Sequence, residues 1–377
     1  MEQNTQIIIV GGGLAGLTSA IHLSKIGFRV AVIDKNVYPR HKVCGEYISN
    51  EVLPYLDWLG VNPEILDPTQ IKKLIFSNST GKSIEGKLPL GGFGISRYAF
   101  DDFLYQKALS KNCNFIEETV TAIDFMDDRF FVTLSDNKIL NAPIVIGAFG
   151  KRSNIDQKLQ RNFILKKSPW LAVKSHYSGN FPDEIVGLHN FKGGYCGVSK
   201  VENNSINICY LANFETFKKH KNIEDYQQQV LYKNPVLKHI FEQSVPEFEK
   251  PLTISQISFD KKDCIENHIL MVGDTAGLIH PLCGNGMAMA IHGAKIASEL
   301  IADYFTNHTS RELLEKNYRK AWRKEFASRL RTGRFLGKLL QMQKLSEILL
   351  GIFTQFPALL PMIIKRTHGK LLTVPQQ

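Results

Sequence analysis

The chain has 377 residues, with 46 Lys+Arg against 36 Asp+Glu and a formal net charge of +10. Hydrophobic residues make up 44% and charged residues 22%, which excludes a disordered, collagen-like or small disulfide-framework chain. The length predicts two or three packed units. Six cysteines without CxxC pairing argue against a zinc site or a disulfide ladder.

The N-terminus, Met1 to Gln6, has no basic region ahead of an apolar stretch, so no cleaved signal peptide is expected and the reading is cytoplasmic. Ile7 to Val10 is a continuous β-branched run, expected as a strand buried on both faces. Gly11, Gly13 and Gly16 then fill the positions of G-x-G-x-x-G. In that turn the glycines permit tight folding, close approach to a pyrophosphate, and helix-on-strand packing. A helix is predicted from Leu14 to Ile26, stopped by Gly27, with the first free N–H groups at Leu14 and Ala15 available to phosphate oxygens. A second strand from Phe28 to Ile33 ends at Asp34, where a ribose-binding carboxylate belongs, with Lys35 next to it. This first box alone leaves NAD and FAD both open.

Near the other end, Asn267 to Val272 runs as a short strand into Gly273-Asp274-Thr275-Ala276-Gly277, then Pro281, Gly284, Gly286 and Met287. A small-residue helix is predicted from Met287 to about Phe305. Asp274 can accept from a ribityl hydroxyl, and the backbone from Gly284 to Met287 can reach a ring carbonyl.

This GD-x-A-G-x-x-x-P-x-x-G-x-G pattern resembles the GD box of flavoproteins built like para-hydroxybenzoate hydroxylase, a superfamily that includes geranylgeranyl reductases and flavin-dependent halogenases. The resemblance spans residues 1 to about 300 and implies FAD, not NAD, as resident cofactor, with NAD(P)H as a transient electron donor. It implies an α/β fold: a Rossmann-like FAD-binding domain of the glutathione-reductase type, discontinuous in sequence, with an inserted, mainly antiparallel β substrate domain. The expected boundaries are 1–70, 91–163 and 259–330 for the FAD-binding domain, 71–90 and 164–258 for the substrate domain, and 331–377 for a helical C-terminal segment. The stretch Arg97-Tyr98-Ala99-Phe100-Asp101 looks like the family's R-x-x-F-D helix start. Arg97 then lies near the flavin pyrophosphate or ribityl chain, or pairs with Asp101 at i,i+4. By the same resemblance Val120 presents backbone to adenine.

The segment from Pro39 to Glu46 resembles the P-x-x-K-x-C-G stretch of geranylgeranyl-reductase-like proteins, which lies at the flavin ring. It makes Arg40, Lys42 and Gly45 candidate cofactor contacts. Cys44 is the candidate catalytic residue, as proton donor, redox partner or pocket wall. Glu46 either contacts Lys42 at i,i+4 or orients the site. Where many hydroxylases carry an aspartate in G-A-D-G, this chain has Phe149, and the halogenase W-x-W-x-I-P signature is absent. The missing signature argues against a halogenase, and Phe149 together with Cys44-Gly45-Glu46 points to the reductase-like branch.

In the substrate part, strands are expected around Leu171 to Tyr177, Tyr195 to Ser199 and Ser205 to Leu211, and a helix from Asn222 to Phe248. His176, Tyr177 and Tyr195 are candidate pocket residues or ordinary half-buried sheet residues. Residues 311–377 hold 14 Lys+Arg and 4 Asp+Glu, so the whole excess charge sits in the tail and the other residues are neutral. From Phe335, the apolar positions Leu336, Leu339, Leu340, Leu345, Ile348, Leu349, Ile352, Phe353 and Phe356 fall at helical spacing. Arg334, Lys338, Gln341, Lys344 and Glu347 take the other face. This basic amphipathic helix either packs on the body or meets anionic lipid or an acidic carrier. Nucleic acid is not expected, because no groove-reading motif accompanies the charge. The uncharged window 348–364 contains Pro357 and Pro361, which argues against a membrane span.

The expected activity is FAD-dependent reduction of a double bond in a lipophilic or carrier-bound small molecule, with NAD(P)H or a flavin reductase as donor. The alternatives are an FAD-dependent monooxygenase acting on an aromatic or polyketide-like substrate, and a non-catalytic prenyl- or partner-binding protein.

Overall fold

The computed structural model describes residues 5–341, 348, 351–353, 355, 356 and 359–374. Positions Leu345, Leu349, Lys344 and Glu347 of the expected amphipathic helix lie outside them.

Ile7–Val10 is a central strand of a six-stranded sheet, with all four side chains buried. It pairs in parallel with Val30–Ile33 on one side and Ile144–Gly147 on the other, register Ile7 to Val30 and Ile7 to Ile144. Ile269–Met271 and Asn114–Ile116 extend the parallel set, and Ile265–Glu266 closes one edge antiparallel. A strand buried on both faces needs cover on both. Helices Leu14–Lys25, Arg97–Leu109 and Gly286–Thr306 pack together on one side, and a three-stranded antiparallel sheet from 120 to 142 touches the other. Gly11 has φ +106°, and a Cβ there would lie 2.4 Å from the Ala148 carbonyl oxygen. A Cβ on Gly16 would lie 2.0 Å from the Gly11 oxygen. These two glycines are therefore imposed by the crossing of loop, strand and helix.

The second unit is a nine-stranded sheet, largely antiparallel, with Trp170–Gly179, Ile206–Asn213, Gly194–Lys200 and Ile185–Phe191 in spatial succession. Thr69–Ser77 and Ser83–Gly94 continue it, and Tyr47–Ser49 forms its edge. The chain therefore crosses from the parallel sheet to this one immediately after Cys44-Gly45-Glu46, where Glu46 takes φ +53°.

The expected long helix from Asn222 to Phe248 is broken. Ile223–Gln229 and Pro235–Glu242 are separate helices, and Ser244–Pro246 is a strand. Pro235 lacks the N–H a continuing helix needs and disfavours helical geometry at Asn234. Asn234 instead caps the new helix, accepting from the Val236 N–H at 3.0 Å.

The C-terminal helix starts at Arg311, earlier than residue 331, and runs to Gln341. It lays Leu314, Tyr318, Trp322, Phe326 and Leu330 against the core at four-residue spacing. Leu359–Thr367 is a further helix that docks on the strand Ser83–Gly94, where Gly86 makes room for Leu360. The chain then returns to the body, with the Gly369 N–H donating to Glu51 at 2.6 Å and the Leu372 N–H to the Glu51 carbonyl at 2.8 Å. Among the described residues, no helix is long and apolar enough to cross a membrane.

Candidate cofactor and active site

The two glycine-rich boxes meet. A Cβ on Gly273 would lie 3.0 Å from the Cβ of Ala15, although about 260 residues separate them. Gly13 precedes the first helix with no side-chain cap, leaving the N–H groups of Leu14 and Ala15 at a helix N-terminus. A Cβ on Gly13 would meet nothing nearer than 3.9 Å, and what it meets there are Arg97 Nη2 and Lys42 Nζ. Open space faced by two cations and the positive end of a 12-residue helix suits a diphosphate.

Asp101 organises the two cations. Arg97 donates to it through Nε and Nη2, both at 2.7 Å, and Lys42 donates at 2.7 Å. Arg97 is thus paired with Asp101 and stands beside the glycine loop. Burial works against ionisation of Arg97, but Asp101 keeps it well above its ordinary value, with Asp274 adding to that field. Lys42 is pushed down to about 8 by burial, then by repulsion from Arg97, against the pull of Asp101. An anion in the cradle favours the protonated amine. FAD affinity is therefore expected to weaken as pH rises through about 8, and fluorescence titrations of wild type and Lys42→Arg check this, the arginine variant staying flat.

Asp34 accepts from the Gly12 N–H at 2.7 Å and pairs with Arg40 at 3.0 Å. Burial favours the neutral acid, yet Arg40, Asn36 and Gly12 hold Asp34 below the ordinary carboxylate range. Arg40 is thus tied to the ribose-position carboxylate. Its Nε and Nη1 are buried with no hydrogen-bond partner among the described residues. Orphaned donors at this point fit a missing polar ligand. Lys35 is exposed beyond the strand, and Val120 is buried at the head of the strand Val120–Met126, paired with Leu134.

In the second box, Thr275 Oγ1 accepts from the Gly150 N–H at 2.8 Å, and Lys262 donates to the Asp274 carbonyl at 2.8 Å. Asp274 itself is half-buried. A Cβ on Gly277 would lie 3.1 Å from the side chains of Trp322 and Leu330, so the helix behind packs closely on this loop. Pro281 is exposed at the start of a short turn, Gly284 follows it with φ +61°, and Gly286 and buried Met287 begin the helix Gly286–Thr306.

Cys44 is half-buried, and its carbonyl accepts from Asn207 of the substrate sheet at 3.3 Å. Gly45 is exposed with open space around it. Glu46 does not reach Lys42. It accepts from Lys174 and from His176 Nε2 at 2.7 Å, and from the Arg97 N–H at 2.7 Å. Glu46 and Lys174 are completely buried. Burial opposes the charge on Glu46, but His176 and Lys174 hold it below the ordinary carboxylate range. His41 stacks on Tyr98, packs at a tilt against Phe248, and is pushed down to about 4 by burial, with Lys174 and His176 repelling its proton. One carboxylate thus joins the Cys44 loop, the Arg97 helix and the substrate sheet.

Sequence reasoning missed Lys174 and Lys262. Lys174 and His176 stand two apart on one face of a buried strand, a signal that two polar groups share a buried partner. Tyr177 and Tyr195 are buried in the second sheet. Tyr177 lies in the cluster beneath its helices, and Tyr195 packs near His280.

An apolar cavity of about 110 Å³ lies between the second sheet and the C-terminal helices. Tyr47, Leu74, Leu88 and Leu188 form one wall, and Leu336, Phe353, Leu360 and Ile363 the other. Cys283 and Gly284 of the second box line its end, so the cofactor loop and the cavity share residues.

A family model described as FAD binding domain matches residues 4–331, and the chain belongs to that family. Digeranylgeranylglycerophospholipid reductase of Methanococcus vannielii is 23% identical over 348 residues, covering 86% of this chain and 84% of the relative. Conditioned medium factor receptor 1 of Dictyostelium discoideum is 24% identical over 86% of this chain and 68% of its own length. Squalene monooxygenase of Mus musculus is 25% identical over 79% of this chain, which spans only 55% of that enzyme. Among solved structures, the flavin-dependent brominase Bmp2 superposes with a TM-score of 0.80 at 16% identity, covering 96% of this chain and 93% of that one. The protein is an FAD-dependent oxidoreductase with the fold of the flavin hydroxylases and halogenases.

Proposed function

We propose that the protein reduces a carbon–carbon double bond in a lipophilic small molecule, free or carried by a partner, with NAD(P)H or a flavin reductase as electron source. The apolar cavity ending at Cys283 and Gly284 carries this reading, since it offers carbon surface beside the second cofactor loop. FAD, when bound, would supply the two-electron, hydride-level chemistry that a reduction needs. The residues that would hold it are Gly11 to Gly16, Asp34, Arg40, Lys42 and Arg97 at the nucleotide end and Asp274 to Met287 at the ring end.

The chain's own residues do the rest. Arg97 and Lys42 neutralise phosphate charge, and their shared anchor Asp101 keeps them in place. Glu46 fixes the Cys44 loop against the substrate sheet. The cavity wall excludes water and aligns an apolar chain. Cys44 delivers the proton to the second carbon, so the net change is one hydride and one proton added across the double bond while the donor is oxidised. A phospholipid reductase among the relatives supports reduction, whereas the likeness to squalene monooxygenase favours hydroxylation as the second reading.

Anaerobic incubation with FAD and NAD(P)H separates the two. Reduction predicts a product two hydrogens heavier with oxygen excluded, and Cys44→Ser slower by about a hundredfold or more. A product that forms only with oxygen and carries an added oxygen atom would favour hydroxylation. Unchanged turnover in Cys44→Ser would leave that residue as pocket wall.

A further inference from the structure

We propose that the C-terminal segment docks the protein on an anionic lipid surface, with the mouth of the apolar cavity turned toward the hydrocarbon. The residues that close the cavity belong to the same helices that expose apolar side chains. Leu336, Phe353 and Ile363 line it, while their neighbours Phe335, Ile352 and Met362 face out, Phe335 62% and Met362 57% exposed. Ile348 and Phe356 are also exposed. Large apolar side chains clustered on an exposed edge need an apolar partner.

Charge identifies that partner. Arg331, Lys338, Lys365, Arg366 and Lys370 are exposed, and none of them is in an ion pair among the described residues. After Glu325 the sequence holds eight Lys+Arg and one acid, Glu347, which lies outside the described residues. That stretch therefore carries seven of the chain's ten net positive charges. Exposed cations without an ion pair, such as Lys82 and Lys192, also occur elsewhere, but there acidic residues balance them in number, and in the tail they do not. Unmatched cations flanking exposed Phe, Ile and Met fit an interface where anionic headgroups lie beside acyl chains. An acidic carrier protein satisfies the cations but leaves the protruding Phe335 and Phe356 without hydrocarbon to enter. The docked helix Leu359–Thr367 gives the surface a rigid base, because Leu360 and Ile364 are buried against the sheet while Met362, Lys365 and Arg366 remain outside. A substrate dissolved in the membrane then reaches the cavity without crossing water.

The test is flotation of the full chain with vesicles of phosphatidylcholine, with and without phosphatidylglycerol. Wild type is expected to float with phosphatidylglycerol-containing vesicles and to be released by high salt. Lys338→Glu/Lys365→Glu/Arg366→Glu is expected to lose about a hundredfold in apparent affinity, and Phe335→Ser/Phe356→Ser to lose binding while keeping the salt dependence of what remains. FAD uptake equal to wild type shows that both variants are folded. Absence of flotation with any vesicle, equal flotation without phosphatidylglycerol, or capture by an acidic acyl-carrier protein without vesicle binding would each overturn the proposal.

Discussion

Glu46→Gln is expected to destabilise the protein by about 3–5 kcal/mol. The glutamine keeps the shape and one acceptor oxygen. It removes the carboxylate that both Lys174 and His176 touch, and Lys174 is left as a cation with no exposed surface. Stranding a buried charge costs far more than the pair itself contributes, because desolvation of the ammonium is no longer offset. Lys174→Met alone leaves Glu46 with His176 and the Arg97 N–H, and the double variant Glu46→Gln/Lys174→Met should recover much of the loss. The sign with pH follows from the depressed Glu46. Its contribution is present above the ordinary glutamate range and is lost as pH falls through the lower folded value, so wild type loses this increment on acidification and Glu46→Gln has none to lose. Urea midpoints at neutral and acid pH for the four proteins give the cycle. A single variant as stable as wild type would show that the buried cluster holds nothing.

Gly13→Val is expected to lower FAD affinity by a hundredfold or more with little change in thermal stability. Gly13 has φ −84°, which any residue adopts, and space for a Cβ with no contact below 3.9 Å. The valine methyls then project between the helix N-terminus and the pair Arg97 and Lys42, where the diphosphate belongs. Gly16→Ala is the contrasting change. Its Cβ meets the Gly11 carbonyl at 2.0 Å, so the backbone has to move and folding itself suffers. The two glycines stand in one motif, and the geometry gives them different reasons for being glycine. Thermal melts without cofactor separate the two effects, and a Gly13→Val protein that melts far below wild type would contradict the open cradle.

The parts legible in the sequence were those with a local signature. Gly11, Gly13 and Gly16 after a β-branched strand, and Gly273-Asp274 before a small-residue helix, specify strand, turn and helix within about twenty residues each. Arg97 was legible because Asp101 lies one helical turn on, and the two do pair. What stayed hidden depends on chain segments far apart. Lys174 and His176 reach Glu46 across 128 and 130 residues, and no periodicity marks such a meeting. Placing Glu46 beside Lys42 assumed a helical turn, but Glu46 at φ +53° ends that possibility and sends Lys42 to Asp101 instead. Arg40 was expected at phosphate or ring and is found on Asp34, six residues back, because the irregular loop folds onto the strand end. In the tail, the described apolar residues divide between a cavity wall and an exposed edge, which spacing alone does not separate.

The central claim is that one FAD lies across the two boxes, with its diphosphate over Gly13. Equilibrium titration of FAD into apoprotein, wild type beside Gly13→Val, tests it most directly. The account predicts saturation at one FAD per chain for wild type and no saturation over the same range for the folded variant. A wild-type chain that takes up no FAD, or a Gly13→Val chain that binds it equally well, would contradict the account.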